Sequence, residues 1–66
     1  MKQLKLHLAK IRRDKKMTAK TLAQLSKIGL RTIEDIERGN VNPRLETVCK
    51  LADALGVLVT DLFSYE

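Results

Sequence analysis

The stretch LAQLSKIGLRTIEDIERGNVNP, residues 22–43, decides the fold of this chain. Its apolar residues recur at helical spacing, which predicts two short helices that pack across a tight turn, each with one narrow buried stripe. The residues predicted for these stripes are Leu22, Ala23, Leu25, Ile28, Ile33 and Ile36. The second helix should end at Gly39, because glycine is a preferred residue after a helix C-terminus. A short helix that is braced by its neighbour and keeps a free polar face has the geometry that enters a DNA major groove.

The flanking sequence predicts three further helices. Leu4, Leu8 and Ile11 stand at helical spacing and indicate a first helix over about residues 2–15. Thr18 is the expected N-cap of the helix over about 19–27, and the next helix begins at Gly29 or Leu30.

Turn residues separate the third predicted helix from the fourth. Pro43 suits the start of this fourth helix, which should run to about Leu55 and stop at Gly56. Its predicted inner stripe is Leu45, Val48, Ala52 and Leu55. A short fifth helix is expected near residues 60–63. The sequence thus predicts an all-α fold, a compact five-helix unit in which residues 1–66 form a single domain.

The composition favours a polyanion as partner. Lys and Arg number 13 against 8 Asp and Glu, a formal charge of +5 on 66 residues, and basic residues fill the N-terminal quarter. Simple solubility is the alternative explanation of this charge. Cys49 is the single cysteine, so no intrachain disulfide, metal site or cofactor is expected. We find no signal peptide or membrane-length apolar run and expect a cytoplasmic protein.

The chain resembles the Cro/cI-repressor type of helix-turn-helix domain, the XRE family, over about residues 8–63, with the helix-turn-helix at about 18–39. The residues that carry the resemblance are Arg12, Met17-Thr18, Leu22-Ala23, Ile28, Thr32-Ile33, Ile36-Glu37-Arg38-Gly39, Pro43-Arg44-Leu45-Glu46, Leu51-Ala52, Ala54-Leu55-Gly56-Val57 and Leu62-Phe63. The resemblance implies five helices, the third of them the recognition helix, and homodimers that bind inverted-repeat operators and usually repress transcription. It also implies a salt bridge between Arg12 and Glu37.

Candidate DNA contacts follow from the face of the third helix and from the loops beside it. Bases should be met by residues three and four apart on its outer face: Leu30, Arg31, Glu34 and Asp35. Phosphates should be met at the start of the second helix and behind the third, by Thr18, Ala19, Lys20, Arg38, Asn40, Asn42 and Arg44. For the two asparagines, satisfaction of turn geometry is an equal alternative.

Three residues depart from the usual family pattern around the turn. Ala19 stands where glutamine is common, Lys27 where glycine is common, and Gly29 where a serine or threonine cap is common. The adjacent acids Glu34 and Asp35 would be repelled by phosphates unless Arg31 and Arg38 neutralise them. They either exclude wrong bases or indicate that this face meets a protein.

The C-terminal tail is apolar for an exposed chain end. Leu58, Phe63 and Tyr65 are predicted to form a dimer contact, although closure of the core by Phe63 is an alternative. The leading function is that of a homodimeric regulator that binds double-stranded DNA. The alternatives are an antitoxin or restriction-control protein, or a protein-interaction module that uses the acidic third helix. We expect no enzyme activity, membrane association or small-molecule ligand.

Overall fold

The computed structural model describes residues 2–66 and contains four α-helices and one two-stranded sheet in that range. The elements in chain order are β1 (Leu4–Leu6), α1 (Leu8–Asp14), α2 (Ala19–Ser26), α3 (Leu30–Glu37), α4 (Leu45–Leu55), a 3₁₀ turn (Val59–Asp61) and β2 (Phe63–Tyr65). The helices pack around one aliphatic cluster, and the two strands join the chain ends beside it. Its buried members are Leu8, Leu22, Ile33, Ile36, Val48, Leu51, Ala52, Leu55 and Leu62.

The first predicted helix is wrong at its N-terminal end. Residues 4–6 form β1, which pairs antiparallel with β2 so that Leu4 faces Tyr65 and Leu6 faces Phe63. The helix begins only at Leu8, after His7 donates its backbone N–H to the Leu62 carbonyl at 2.7 Å. A short apolar run fits a strand as well as a helix, and the pairing partner lies at the other end of the chain.

The prediction of five helices is likewise wrong. The expected fifth helix is one 3₁₀ turn, in which Asp61 Oδ2 accepts a hydrogen bond from the Leu58 N–H at 3.0 Å. The chain then extends into β2 because its backbone groups find partners on β1. The two strands are further joined by His7, whose Nε2 lies 2.9 Å from Ser64 Oγ.

Side chains at the chain ends reinforce this sheet. Ser64 Oγ donates to Glu66 Oε2 at 3.0 Å, and Lys5 Nζ lies 3.4 Å from Glu66 Oε1. These contacts hold the pKa of Glu66 below its ordinary value of 4.5, the hydrogen bond from Ser64 being the larger cause and Lys5 the second.

The boundaries of α2 and α3 agree with the sequence prediction. Thr18 caps α2, since its Oγ1 accepts a hydrogen bond from the Thr21 N–H at 3.0 Å. Lys27 ends α2 in the left-handed conformation, with φ +59°. Arg38 ends α3, and Gly39 follows it at φ +77°. The turn therefore keeps its geometry with lysine in place of glycine.

Two leucines that were predicted to be buried, Leu25 and Leu45, are exposed, and so is Leu4 of the predicted first helix. Leu4, Leu25 and Leu45 are 58%, 58% and 70% exposed, whereas Leu51 and Leu62 are almost fully buried. Leu25 lies on the outer side of α2, and Leu45 is the first residue of α4, which starts two residues later than Pro43. Helical spacing alone therefore predicted buried stripes on α2 and α4 that were wider than the observed ones.

Candidate nucleic-acid interface

The outward face of α3 is positioned by two buried isoleucines. Ile33 and Ile36 are inside the core, which turns the residues between and around them away from it. The four predicted base-contact residues lie on this face: Leu30 and Arg31 are exposed, and Glu34 and Asp35 are half-buried. Gly29 caps the helix without a side-chain hydrogen bond. The first turn of α3 is thus free of bulky or polar capping groups.

The charges on this face balance one another. Arg31 and Arg38 supply two positive charges, and Glu34 and Asp35 supply two negative ones. Within residues 2–66, neither the Arg31–Asp35 pair nor the Glu34–Arg38 pair comes within ion-pair distance. Each of these groups therefore remains available to a partner, and attraction of a polyanion must come from the residues around α3.

A bidentate ion pair joins α1 to α3. Arg12 Nε lies 2.7 Å from Glu37 Oε2 and Arg12 Nη2 lies 3.1 Å from Glu37 Oε1. Arg12 Nη1 also donates to the Met17 carbonyl at 2.9 Å, so that this side chain of α1 contacts both α3 and the segment before α2. Both side chains of the pair are only 13% exposed. The hydrogen bond with Glu37, helped by its charge, raises the pKa of Arg12 against the opposing effect of burial.

The N-terminus of α2 lies at a surface cleft that residues of α3 also line. Ala19 and Arg38, both predicted to meet phosphates, line one surface cleft between α1 and α3, and Arg13 lines it too. Thr18 and Lys20 are exposed next to it. Arg13 was not singled out by the sequence reasoning, although it belongs to the basic N-terminal quarter. Besides Arg12, which is paired with Glu37, the cleft brings two guanidinium side chains to the end of a helix where anions are favoured.

The loop between α3 and α4 exposes Asn40, Asn42 and Arg44. Backbone groups close this turn, since Gly39 N–H donates to the Ile36 carbonyl at 3.1 Å and Asn40 N–H donates to the Asp35 carbonyl at 2.9 Å. The turn is therefore closed without the asparagine side chains.

An apolar surface lies on the side of the sheet that faces α4. We define the apolar surface as Leu4, Leu45, Phe63 and Tyr65; of these, Leu4, Leu45 and Phe63 line a groove floored by Leu6 and Val48. Tyr65 is opposite Leu4 in the strand pairing and is 66% exposed, with Lys2 Nζ 5.8 Å from its ring centroid. Leu58, the third predicted dimer contact, is 69% exposed.

Two other features were sought in the part of the chain that the structure describes. Residues 2–66 contain no group of three or more His, Cys, Asp or Glu side chains that could hold a metal ion. No helix in this range is long and apolar enough to cross a membrane.

Three comparisons show which known proteins this chain is similar to. A family model described as helix-turn-helix, HTH_3, matches residues 8–62. The HTH-type transcriptional regulator DdrOP3 of Deinococcus deserti is 36% identical over 55 residues, which cover 83% of this chain and 43% of that protein. The chain thus spans less than half the length of this curated relative. The crystal structure of the restriction-modification controller protein C.AhdI from Aeromonas hydrophila superposes with a TM-score of 0.82 at 36% identity, over 85% of each chain.

Proposed function

Because the chain belongs to the helix-turn-helix family HTH_3, we propose that it is a transcriptional regulator that binds double-stranded DNA sequence-specifically through α3. The observation that carries the proposal is the open polar face of α3, fixed against α1 by the bidentate pair of Arg12 and Glu37. A recognition helix must be held rigidly to place its side chains against base edges. The relatives named as a transcriptional regulator and as a restriction-modification controller support the same function.

The chemistry of the α3 face supports the proposed base contacts. Arg31 can donate two hydrogen bonds to guanine, and Leu30 can pack against a thymine methyl group. Glu34 and Asp35 can each accept from a cytosine amine, and they repel DNA at positions that offer no donor. Because Glu34 and Asp35 lack arginine partners within residues 2–66, we expect their contribution to be exclusion of wrong bases as much as attraction.

Phosphate contacts on both sides of α3 would supply the affinity that this neutral face lacks. The free amides at the start of α2, with Lys20 and Arg38 beside them, form the first set. Asn40, Asn42 and Arg44 form the second set, in the loop behind α3. The residues proposed to meet phosphates are Thr18, Ala19, Lys20, Arg38, Asn40, Asn42 and Arg44.

We further propose that the protein acts as a homodimer on an inverted repeat and represses transcription there. The occupant of the apolar surface would then be a second copy of the chain, with Leu58 contributing from the neighbouring turn. Lys2 lies near Tyr65, and Glu46 follows Leu45 in the chain. A two-fold axis that runs across the line between Tyr65 and Leu45 would bring the basic side of one copy towards the acidic side of the other.

The similarity to C.AhdI favours one second candidate, a restriction-control protein, which would use the same DNA-binding face. An antitoxin is a further variant of this function. A protein-interaction module is the alternative of a different class, since a face with balanced charges also suits a protein partner. None of these functions requires a cofactor, a small-molecule ligand or enzyme activity, and all would act in the cytoplasm.

Selection of binding sites from randomised DNA duplexes at about physiological salt tests the proposal. We expect a two-fold symmetric site whose half-sites lie about one helical turn, roughly 10–10.5 bp, apart. An asymmetric site would contradict the homodimer, and recovery of no site by folded protein would contradict DNA binding.

The dimer contact is tested by sedimentation of Leu45→Asp and Leu58→Asp variants. A charge at a buried dimer contact should shift the protein to monomer. Leu25→Asp is the matched control, since Leu25 is 58% exposed on α2 and lies away from the apolar surface. Identical sedimentation of all three variants and the parent would remove this surface from the dimer contact.

A further inference from the structure

Two lysines of this chain adopt the left-handed backbone conformation that normally favours glycine. Lys16 has φ +56° and Lys27 has φ +59°, and they are the only non-glycine residues with positive φ in residues 2–66. Each stands two residues before the N-cap of a helix: Lys16 before Thr18 of α2, and Lys27 before Gly29 of α3. The two lysines therefore mark the entrances to both helices of the helix-turn-helix.

Glycine occupies the left-handed positions that follow two other helices of this chain. Gly39 follows α3 at φ +77°, and Gly56 follows α4 at φ +71°. A side chain in this region brings Cβ close to the carbonyl oxygen, so lysine is strained where glycine is not. Helix termination alone does not account for a lysine at these two places. A backbone strain that the fold retains is a reason to ask what the side chain does.

The ammonium groups of Lys16 and Lys27 differ in their surroundings from those of three other lysines, whereas Lys2, Lys15 and Lys20 resemble them in this respect. Lys5, Lys10 and Lys50 each lie within 3.5 Å of a carboxylate oxygen. Lys16 and Lys27 are exposed and have no carboxylate within ion-pair distance in residues 2–66. Their charges are thus not compensated within the described chain, and their left-handed backbone sets them apart from the other lysines without a carboxylate partner.

Both lysines also lie near the groups that the proposed function places on DNA. Lys27 precedes Arg31 by four residues, so their Cα atoms are at most about 14 Å apart even for an extended chain. A recognition helix contacts bases mainly with its N-terminal residues, and phosphates form the walls of the groove that it enters. Lys16 has the same relation to the N-terminus of α2, where phosphate is favoured.

We propose that Lys16 and Lys27 bind phosphates of the DNA backbone at the entrances to α2 and α3, and that the fold tolerates left-handed strain to hold these charges there. The inference rests on the proposed DNA binding and extends it to a second, purely electrostatic set of contacts. It also supplies attraction beside an α3 face whose own charges balance.

Substitution of either lysine by glycine tests the proposal, because the proposal predicts higher thermal stability but weaker DNA binding in these variants. In Lys16→Gly and Lys27→Gly, we expect the melting temperature to rise, since the relief of strain exceeds the extra chain entropy of glycine. Affinity for the selected duplex should fall roughly five- to tenfold near 0.1 M salt for each lysine, because each phosphate contact contributes about 0.9 to the slope of log K against log salt. The slope should decrease by that amount in each variant.

Two further variants separate charge from backbone effects. Lys27→Arg keeps the positive charge and the strain, so its affinity and salt slope should equal those of the parent. Lys50→Gln removes one positive charge from α4, where Lys50 is paired with Glu46, and should leave the slope unchanged. Fluorescence anisotropy across a salt series and thermal melting give both readouts on the full chain.

Three different results would each overturn the inference, for different reasons. Glycine variants that melt higher but bind DNA with the parent's affinity and slope would show that the lysines do not meet phosphates. Glycine variants that melt lower would show that the strain argument is wrong and that weaker binding reflects damage to the fold. A parent protein that binds no duplex would overturn the proposed function itself, whatever the variants do.

Discussion

Removal of Glu37 should be the most damaging single truncation of a polar side chain in this protein. Glu37→Ala leaves the Arg12 guanidinium at the α1–α3 contact with the Met17 carbonyl as its remaining partner. Loss of one partner of a buried ion pair typically costs 3–5 kcal/mol. Because both side chains are 13% exposed rather than fully buried, we take the lower end, about 3 kcal/mol.

This loss is large relative to the expected total. A chain of this size has an unfolding free energy of about 3–10 kcal/mol. With an unfolding entropy of about 2.1 cal/mol/K per residue, a loss of 3 kcal/mol lowers the melting temperature by about 20 °C. Urea titration followed by circular dichroism measures the free energy, and a thermal scan measures the melting temperature.

The control variant is Glu46→Ala, which breaks an exposed pair with Lys50 in which Glu46 is 80% exposed. It should cost less than about 1 kcal/mol, because solvent-exposed pairs contribute little. An Arg12→Met/Glu37→Leu double variant should recover most of the stability lost in Glu37→Ala, since the unpaired charge is then removed as well. The reasoning is refuted if Glu37→Ala is no more destabilising than Glu46→Ala.

Three other predictions concern the core, the DNA face and the sheet. Leu22→Ala should lower the unfolding free energy by about 2–5 kcal/mol because Leu22 is fully buried, whereas Leu25→Ala should change it by less than about 0.5 kcal/mol in the same urea titration. Arg31→Ala should lose about 1–3 kcal/mol of discrimination at one guanine in each half-site, measured with duplexes substituted at single positions; equal affinity for all four bases in the parent would contradict this. Because the pKa of Glu66 is depressed below 4.5, its contribution to strand pairing is present above pH 4.5 and is lost as pH falls through the folded pKa. Faster amide exchange of Glu66 at acid pH, with no such titration in Glu66→Gln, would confirm it.

Local chemistry was sufficient to predict the central helices. Thr18 and Gly39 mark their limits through groups within a few residues, a side-chain cap and a left-handed backbone position. The pairing of Arg12 with Glu37 came from the family resemblance, and their side chains meet in the structure. The outward position of Leu30 and Arg31 followed from the buried spacing of Ile33 and Ile36.

The two strands could not be predicted in this way. Leu4 pairs with Tyr65 and Leu6 with Phe63, so each strand depends on hydrogen bonds to residues about 60 positions away. Neither three-residue strand has a pattern that distinguishes it from a helical turn. For the same reason residues 4–6 and Phe63 were assigned to helices that the structure replaces by a sheet.

The sequence by itself determined the helical core and the polar face of α3, because helical periodicity, caps and left-handed stops are encoded by residues close along the chain. Only the tertiary structure decided which leucines are exposed, whether the acids of α3 find partners, and where the strands begin. These features depend on the packing of segments that are distant in sequence. The left-handed conformation of Lys16 belongs to the same group, since nothing in the residue itself favours it and the junction of α1 and α2 imposes it.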